Sequence, residues 1–236
     1  GRAEQKPVPP LNLVGDMGGG GMLLVSGILA ALLETGRSGE GQVIDAAMVD
    51  GAAQLMWMFH GLESIGGWDA SSREANMLDG AAHFYDVYEC ADGKYICIGA
   101  IEPQFYALLR ELLGLEDADF DRQHDREAWS GLSEKISAIF LEKSQGEWCA
   151  VMEGTDICFA PVLSFKEAPQ YPANIARETY VEIDGLVQPA PAPRFSRTPS
   201  NVKHGVHGLG EDTEVVLTNL GMNADEIRSL RSEGVI

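Results

Sequence analysis

Four consecutive glycines, Gly18–Gly21, stand immediately before an almost wholly apolar segment, Met22–Leu33. The apolar segment predicts a buried helix over Met22–Gly36, and the glycines give it an entry that another group can approach closely. No Gly-Lys-Ser/Thr sequence follows and Gly-x-Gly-x-x-Gly is not present, which excludes the usual phosphate-binding and dinucleotide-binding loops. The segment therefore predicts a glycine-rich helix start that is not one of these nucleotide-binding loops.

A single acid, Asp16, precedes the glycine run by one residue. The first N–H groups of a helix have no partner within it and stabilise negative charge. A carboxylate beside such donors is a catalytic arrangement, although a capped helix start explains the same residues without chemistry. We predict Asp16 as a catalytic residue. The predicted oxyanion donors and substrate-binding residues beside it are Gly18, Gly19 and Gly20.

Composition limits the classes of partner. With 45% hydrophobic residues the 236-residue chain is predicted to be globular, as one large or two small domains. A net charge of −19 argues against nucleic acid or an anionic membrane surface as a partner. The four cysteines form no Cys-x-x-Cys pair, which predicts reduced, buried thiols of a cytoplasmic protein and no metal site. The longest apolar run, about twelve residues, predicts no membrane insertion.

After the first helix we predict a short strand at Gln42–Asp45 and a second helix over Ala46–Ile65. Methionines of the second helix, Met56 and Met58 among them, suit a pocket for a flexible apolar chain, because thioethers adapt to irregular shapes. Ordinary core packing explains them as well. We predict Met56 and Met58 as substrate-binding residues.

Two β-rich runs, His83–Glu89 and Lys94–Gly99, flank the turn signal Asp92-Gly93 and predict a hairpin. Glu102 follows the second strand and precedes Pro103, a residue suited to the first position of a helix. We therefore expect Glu102 at the N-terminus of a helix over 104–113. Farther on we predict helices at 127–143, 145–154, 213–220 and 224–232, a strand at 158–163 and a proline-rich connector at 189–193.

Six motifs lie along the chain: Val14–Gly19, Gly41–Met48, Asn76–Gly80, Gly99–Tyr106, Ala192–Ser196 and Gly210–Thr213. Together they closely resemble the α-methylacyl-CoA racemases, which belong to the family III CoA-transferase superfamily. The resemblance covers the family from just before its catalytic aspartate to the C-terminus.

The resemblance implies a partial α/β family III CoA-transferase fold and an interlocked homodimer. Residues 1–65 would be the C-terminal piece of a Rossmann-like large domain, with the catalytic Asp loop, and 66–82 a linker. Residues 83–187 would form a small α/β domain, and 188–236 a return linker with C-terminal helices. The half before Gly1, with most of the CoA-binding surface and a catalytic histidine, is expected outside this chain.

The activity implied is epimerisation at C2 of a 2-methylacyl-CoA, by removing the α-proton on one face and returning it on the other. Asp16 would be one acid–base group, and Glu102 would hold the histidine that is the other. Tyr85 and Ile101 are further predicted substrate-binding residues. Coenzyme A is part of the substrate, so no cofactor is expected, and this chain alone is predicted to be inactive.

Two alternatives stay open. In the transferases of the superfamily the aspartate at the position of Asp16 is a nucleophile that forms an acyl anhydride. The motif Ile101–Gln104 resembles the racemases and not the transferases. A catalytically silent, dimerising module is the second alternative. One departure is Ala81-Ala82-His83, where the racemases have Gly-Ala-Pro, and we expect His83 to be a partly exposed strand residue.

Overall fold

A computed structural model describes residues 1–236, which form two compact units, Gly1–Val162 and Leu163–Ile236. The division between them falls inside the segment 83–187 predicted as one small domain. The predicted domain boundaries stay a prediction. Both units contain helices and small antiparallel sheets, and this mixture of helix and sheet confirms the predicted class.

The first unit begins with a helical region. A π-helix, Leu13–Met22, continues directly into α1, Leu23–Ser38, and is followed by α2, Met48–Leu55, and α3, Trp57–Ser64. The helix predicted over Met22–Gly36 is confirmed as α1, but helical turns already begin at Leu13 and include the glycines. The prediction that this helix is buried is wrong within these residues, because no residue of α1 is buried. The single helix predicted over Ala46–Ile65 is divided at Met56.

Glycine is needed where the π-helix meets α2. A Cβ at Gly51 would lie 1.8 Å from the carbonyl oxygen of Gly19, and a Cβ at Gly19 would lie 2.7 Å from the backbone nitrogen of Ala52. No side chain fits between backbones this close. The glycine run therefore allows two helices to touch.

The strand predicted at Gln42–Asp45 is not formed. Val43 is 95% exposed, and no other strand of the chain lies beside this segment to pair with it. A strand needs a neighbour for its backbone hydrogen bonds. Residues 42–45 therefore do not form a strand in this chain, despite their β-propensity.

A three-stranded antiparallel sheet follows, in the order β1-β2-β3. β1 is Tyr85–Glu89, β2 is Tyr95–Gly99 and β3 is Phe159–Pro161. The predicted hairpin is confirmed: Tyr85 pairs with Gly99, and Glu89 pairs with Tyr95. Gly93 takes φ +73 in the turn, as an Asp-Gly turn requires.

Three helices cover one face of this sheet: α4, Pro103–Leu113, α5, Arg126–Phe140, and α6, Gln145–Met152. They lie where the sequence predicted helices. Asp125 caps α5, and Ser144 with Glu147 forms a capping box on α6. The closed core contains Ala82, Phe84, Tyr88, Ile96, Ile98, Leu109, Trp129, Leu132, Ile136, Phe140, Trp148, Met152 and Ile157 among its buried residues.

The helical region is packed differently. Its only buried residues are glycines, and apolar side chains of α1 such as Leu29, Leu32 and Leu33 are more than half exposed. The continuous helix Leu13–Ser38 is long and apolar enough to cross a membrane by length and composition. The continuous helix is thus longer than the twelve-residue run suggested, and the absence of membrane insertion stays a prediction. A core helix of a globular domain has the same composition.

The second unit contains α7, Pro172–Ala176, a hairpin of β4, Tyr180–Ile183, with β5, Leu186–Pro189, and the helices α8, Thr213–Asn219, and α9, Ala224–Ser232. The sequence predicts the last two, with Asn223 as the cap of α9. It does not predict the hairpin.

Candidate active site

The predicted site residues lie in two places within the first unit. Asp16 and the glycines belong to the π-helix, which packs against α2, and Met56 is the residue that follows α2. Glu102 lies where β2 gives way to α4, with Ile101 before it and Tyr85 at the start of the paired strand β1. No hydrogen bond or ion pair joins Asp16 to Glu102.

Asp16 is exposed, and its carboxylate enters no side-chain hydrogen bond or ion pair. Many other carboxylates of the chain serve structure: Asp86 and Glu74 hold Arg2, and Asp125 caps α5. Asp16 has no such role, so it is available for chemistry. This feature is what a catalytic carboxylate needs before a substrate arrives.

The oxyanion hole predicted beside Asp16 is not formed at a helix N-terminus. In a π-helix each N–H donates to the carbonyl five residues earlier, as Met17 N does to Asn12 O at 3.1 Å. Gly18, Gly19 and Gly20 lie inside this π-helix, and Gly19 and Gly20 are buried. Their amides are therefore directed along the helix. Substrate binding by these glycines stays a prediction.

Glu102 occupies the N-cap position of α4, with φ −73° and ψ 145°, and Pro103 is the first helical residue. This placement is the predicted one. Its side chain is exposed and makes no capping hydrogen bond, in contrast to the side chains of Asp125, Ser144 and Asn223. The carboxylate of Glu102 is thus positioned by its backbone and is free to bind another group.

A cavity of about 530 Å³ opens on the outer face of the sheet, the face that α4–α6 leave uncovered. Tyr85, Cys97, Gly99 and Cys158 line it. The ring of Tyr85 lies over Gly99, 3.5 Å from where a Cβ would stand. Partial desolvation, together with the charges of Glu102 and Asp156, raises the pKa of the largely exposed Cys158 thiol. Glu102 thus lies near Cys158, although it does not itself line the cavity.

Tyr85 lines the cavity as a substrate-binding residue should. Ile101 packs partly buried against the core. Met56 and Met58 are 45% and 39% exposed, so each presents an apolar surface that another group can cover. The roles of all four in substrate binding stay predictions.

The cysteines only partly match the expectation of buried thiols. All four are free, but Cys90 alone is buried, and Cys158 is exposed with a φ of +58°. Cys97 and Cys158 are cavity residues that sequence reasoning missed. No sequence signal marks them, because pairing of β3 with β2 brings Cys158 to the cavity. No group of three or more His, Cys, Asp or Glu residues is arranged to hold a metal ion.

His83 is fully buried, so its prediction as a partly exposed strand residue is wrong. Tyr106 Oη donates to Phe120 O at 2.9 Å and accepts from His83 Nε2, 2.8 Å away, which leaves Nδ1 without a partner. Burial, with a smaller contribution from the charge of His124, lowers the pKa of His83 to about 4. His83 is thus a neutral core residue beneath the start of β1.

Within this fold, Asp16 and Glu102 are both exposed and make no side-chain hydrogen bond to another residue of the chain. The model of CoA-transferase family III matches residues 1–213. The chain belongs to CoA-transferase family III.

Two curated relatives are α-methylacyl-CoA racemases. The mouse protein is 42% identical over 240 residues and the human protein 40% identical over 239 residues. Both alignments cover 100% of this chain, which spans 62% of the length of each relative.

Solved structures share the fold at low sequence identity. A CAIB/BAIF family protein from Brucella suis matches with a TM-score of 0.71 at 19% identity, covering 93% of this chain and 58% of that one. The Rv3272 protein of Mycobacterium tuberculosis matches with a TM-score of 0.68 at 22% identity, covering 90% and 59%. These likenesses show the fold alone.

Proposed function

We propose that this chain provides catalytic residues of an α-methylacyl-CoA racemase, an isomerase that epimerises C2 of 2-methylacyl-CoA thioesters. The observation that carries the proposal is that Asp16 and Glu102, which stand in racemase-like motifs, are both exposed and free of side-chain hydrogen bonds within the chain. The mouse and human relatives, similar over the whole chain, support it.

In this proposal Asp16 exchanges a proton with the α-carbon on one face of the substrate. A second acid–base group must serve the other face, because the proton has to return from the opposite side. That group is the family's histidine, outside these 236 residues, and the carboxylate of Glu102 holds its ring by a charge-assisted hydrogen bond. Such a bond favours the protonated imidazole, which can return the proton.

The apolar outer face of the sheet suits the acyl chain, with Tyr85 as one wall of the cavity. Coenzyme A enters as part of the substrate, and the reaction uses no further cofactor. With 17 basic and 36 acidic residues in the chain, the groups that bind the CoA phosphates are proposed to lie mainly outside it.

Exposed apolar side chains along α1–α3 support assembly with more polypeptide, and we include a homodimer in the proposal. A cytoplasmic location, no membrane insertion and a role in fatty acid metabolism are parts of the same proposal. Light scattering of the purified protein tests the dimer, and a monomer at micromolar concentration would contradict it.

Exchange of the α-proton tests the chemistry. In the full-length protein that contains this chain, a 2-methylacyl-CoA incubated in D₂O should acquire deuterium at C2 in both epimers. Asp16→Asn should lower this rate at least about 10²-fold, because an amide cannot transfer the proton as a base. Asp50→Asn, in the exposed first turn of α2, is the matched control and should leave the rate unchanged.

A family III CoA-transferase is the second candidate, because the family model is that of the transferases and an exposed, unpaired Asp16 also suits a nucleophile. The same experiment separates the two. Acyl exchange onto a second carboxylic acid without deuterium at C2 would establish the transferase. Neither activity, with the chain still folded and self-associated, would indicate a silent module.

A further inference from the structure

A glutamine behind the candidate site has contacts that the proposed chemistry does not yet use. Gln123 is 8% exposed and lies in the loop before α5. Its side-chain Nε2 donates to Ala100 O at 3.1 Å and to Ile101 O at 3.0 Å. These carbonyls belong to the two residues immediately before Glu102. One amide group therefore bonds both peptide units that lead to the candidate acid–base residue.

We propose that Gln123 is a positioning residue for Glu102, and this inference rests on the proposed function. The segment between β2 and α4 has left the sheet ladder, so its backbone groups need partners of their own. Ala100 N donates to Phe84 O at 2.9 Å, and Ile101 N donates to Gly99 O at 2.9 Å. The carbonyl oxygens of Ala100 and Ile101 both accept from the side-chain amide of Gln123.

The direction of the Glu102 side chain depends on this backbone more than the direction of most side chains does. Its carboxylate makes no capping bond and is exposed, so within this chain only the backbone sets its direction. A shift of about 1 Å in a catalytic group can cost about 10²-fold in rate. The direction of Glu102 is therefore expected to follow the backbone that Gln123 fixes.

Gln123 itself is fixed. Its backbone oxygen accepts a 2.7 Å hydrogen bond from Trp129 Nε1, and Trp129 is buried in the core on α5. The chain of contacts thus runs from the core through Trp129 and Gln123 to the peptides before Glu102. Few other residues suit this position, because a primary amide presents two N–H donors on a three-carbon reach. Methionine has the same reach without a donor, and glutamate has acceptors that would repel the carbonyls.

Gln145 provides a matched control within the same sheet. It is 6% exposed, and its Nε2 also donates to two carbonyls, Tyr95 O at 2.6 Å and Val162 O at 3.1 Å. Tyr95 is at the opposite end of β2 from Glu102. The two glutamines thus make the same kind of contact, but only Gln123 makes it beside the candidate carboxylate.

The experiment compares Gln123→Met, Gln145→Met and Glu102→Gln in the full-length protein by α-proton exchange in D₂O. Gln123→Met is expected to lower kcat about ten- to hundredfold with little change in KM, and to shift the pH profile in the direction that Glu102→Gln shifts it. Gln145→Met is expected to lose comparable thermal stability while keeping kcat and the pH profile of the parent. The double variant Q123M/E102Q should be no slower than E102Q alone, because the two residues act through one group.

Each failure has its own meaning. If Glu102→Gln leaves exchange unchanged, the proposed function of Glu102 is wrong. If Glu102→Gln abolishes exchange but Gln123→Met keeps the parent kcat and pH profile, the function stands and the positioning role is overturned. The positioning role is also overturned if the exchange rate of Q123M/E102Q falls by the product of the two single-variant losses. Should Gln123→Met not fold, Gln123→Asn, which keeps the amide on a shorter side chain, replaces it, and the same outcomes support or overturn the positioning role.

Discussion

The helical region of residues 13–65 and the sheet region of residues 82–161 have a similar share of apolar residues and opposite packing. In the helical region the only buried residues are Gly19, Gly20 and Gly51. The sheet region contains the whole buried core cluster. Apolar content therefore does not decide whether a segment builds a core, since a core also requires facing elements within reach.

The difference bears on the two candidate carboxylates. Most helical stability in proteins comes from packing an apolar face, so α1 is expected to need a covering surface that these residues do not provide. The relatives have more chain than the 62% that this one spans. The geometry around Asp16 is thus expected to depend on contacts beyond these residues, whereas the surroundings of Glu102 are built within the sheet region.

The largest expected effect contrasts the two regions directly. Phe140→Ala removes a fully buried ring and should lower the free energy of unfolding of this chain by about 3–5 kcal/mol. Leu33→Ala, at a side chain 78% exposed on α1, should change it by less than about 0.5 kcal/mol. Urea unfolding followed by tryptophan fluorescence measures both. Equal losses would show that α1 is already covered in solution, for example by a second copy.

Acid should weaken the sheet region through His83. The unfolded chain binds a proton at this residue with a pKa near 6.5, and the folded chain only near 4. Between these values the unfolded state binds more protons, so the stability that His83 contributes above pH 6.5 is lost as pH falls toward 4. The loss amounts to at most about 3 kcal/mol.

Comparison with His83→Leu isolates this contribution, because other groups also titrate in this range. The parent should lose more stability between about pH 7 and about pH 4.5 than His83→Leu does, as measured by urea unfolding at the two pH values. His60→Gln, at an exposed histidine, should behave like the parent. A parent and His83→Leu with the same pH dependence would mean that His83 is protonated without cost.

A smaller effect is expected where the helical region does pack. Gly51→Ala places a Cβ against Gly19 O and should open the contact between α2 and the π-helix, at a cost of about 1–3 kcal/mol. Gly36→Ala, with no atom within 4 Å of its Cβ, should instead stabilise α1 by about 0.5–1 kcal/mol. Amide hydrogen exchange over residues 13–22 and 48–55 should be faster in the first variant only. Unchanged exchange in Gly51→Ala would show that this contact does not hold the helices.

Local signals predicted the parts of the fold that depend on local chemistry. Asp92-Gly93 indicated the hairpin, Pro103 the start of α4 and Asn223 the cap of α9. The same turn signal, Asp184-Gly185, joins β4 to β5, the hairpin that was not predicted. The prediction of a strand at Gln42–Asp45 was wrong, because the sequence of one segment does not show whether another strand lies beside it.

The candidate site likewise contains residues that short motifs predicted and residues that only the fold revealed. Asp16 and Glu102 were found from short motifs, and Glu102 lies where proline and the preceding strand placed it. The burial of His83 and the contacts of Gln123 could not be predicted from short motifs, because both depend on residues 20 or more positions away in the sequence. Local motifs predict the candidate groups, and only the fold shows which residues support them.

The absent capping bond of Glu102 has an evolutionary consequence. Since the helix begins at Pro103 without help from the preceding side chain, mutation at position 102 is screened by chemistry and scarcely by folding. A lineage could lose or regain the acid here in one step, while the strand and helix on either side stay intact. Under the proposed function, such a position would let one scaffold be recruited for different reactions on acyl thioesters.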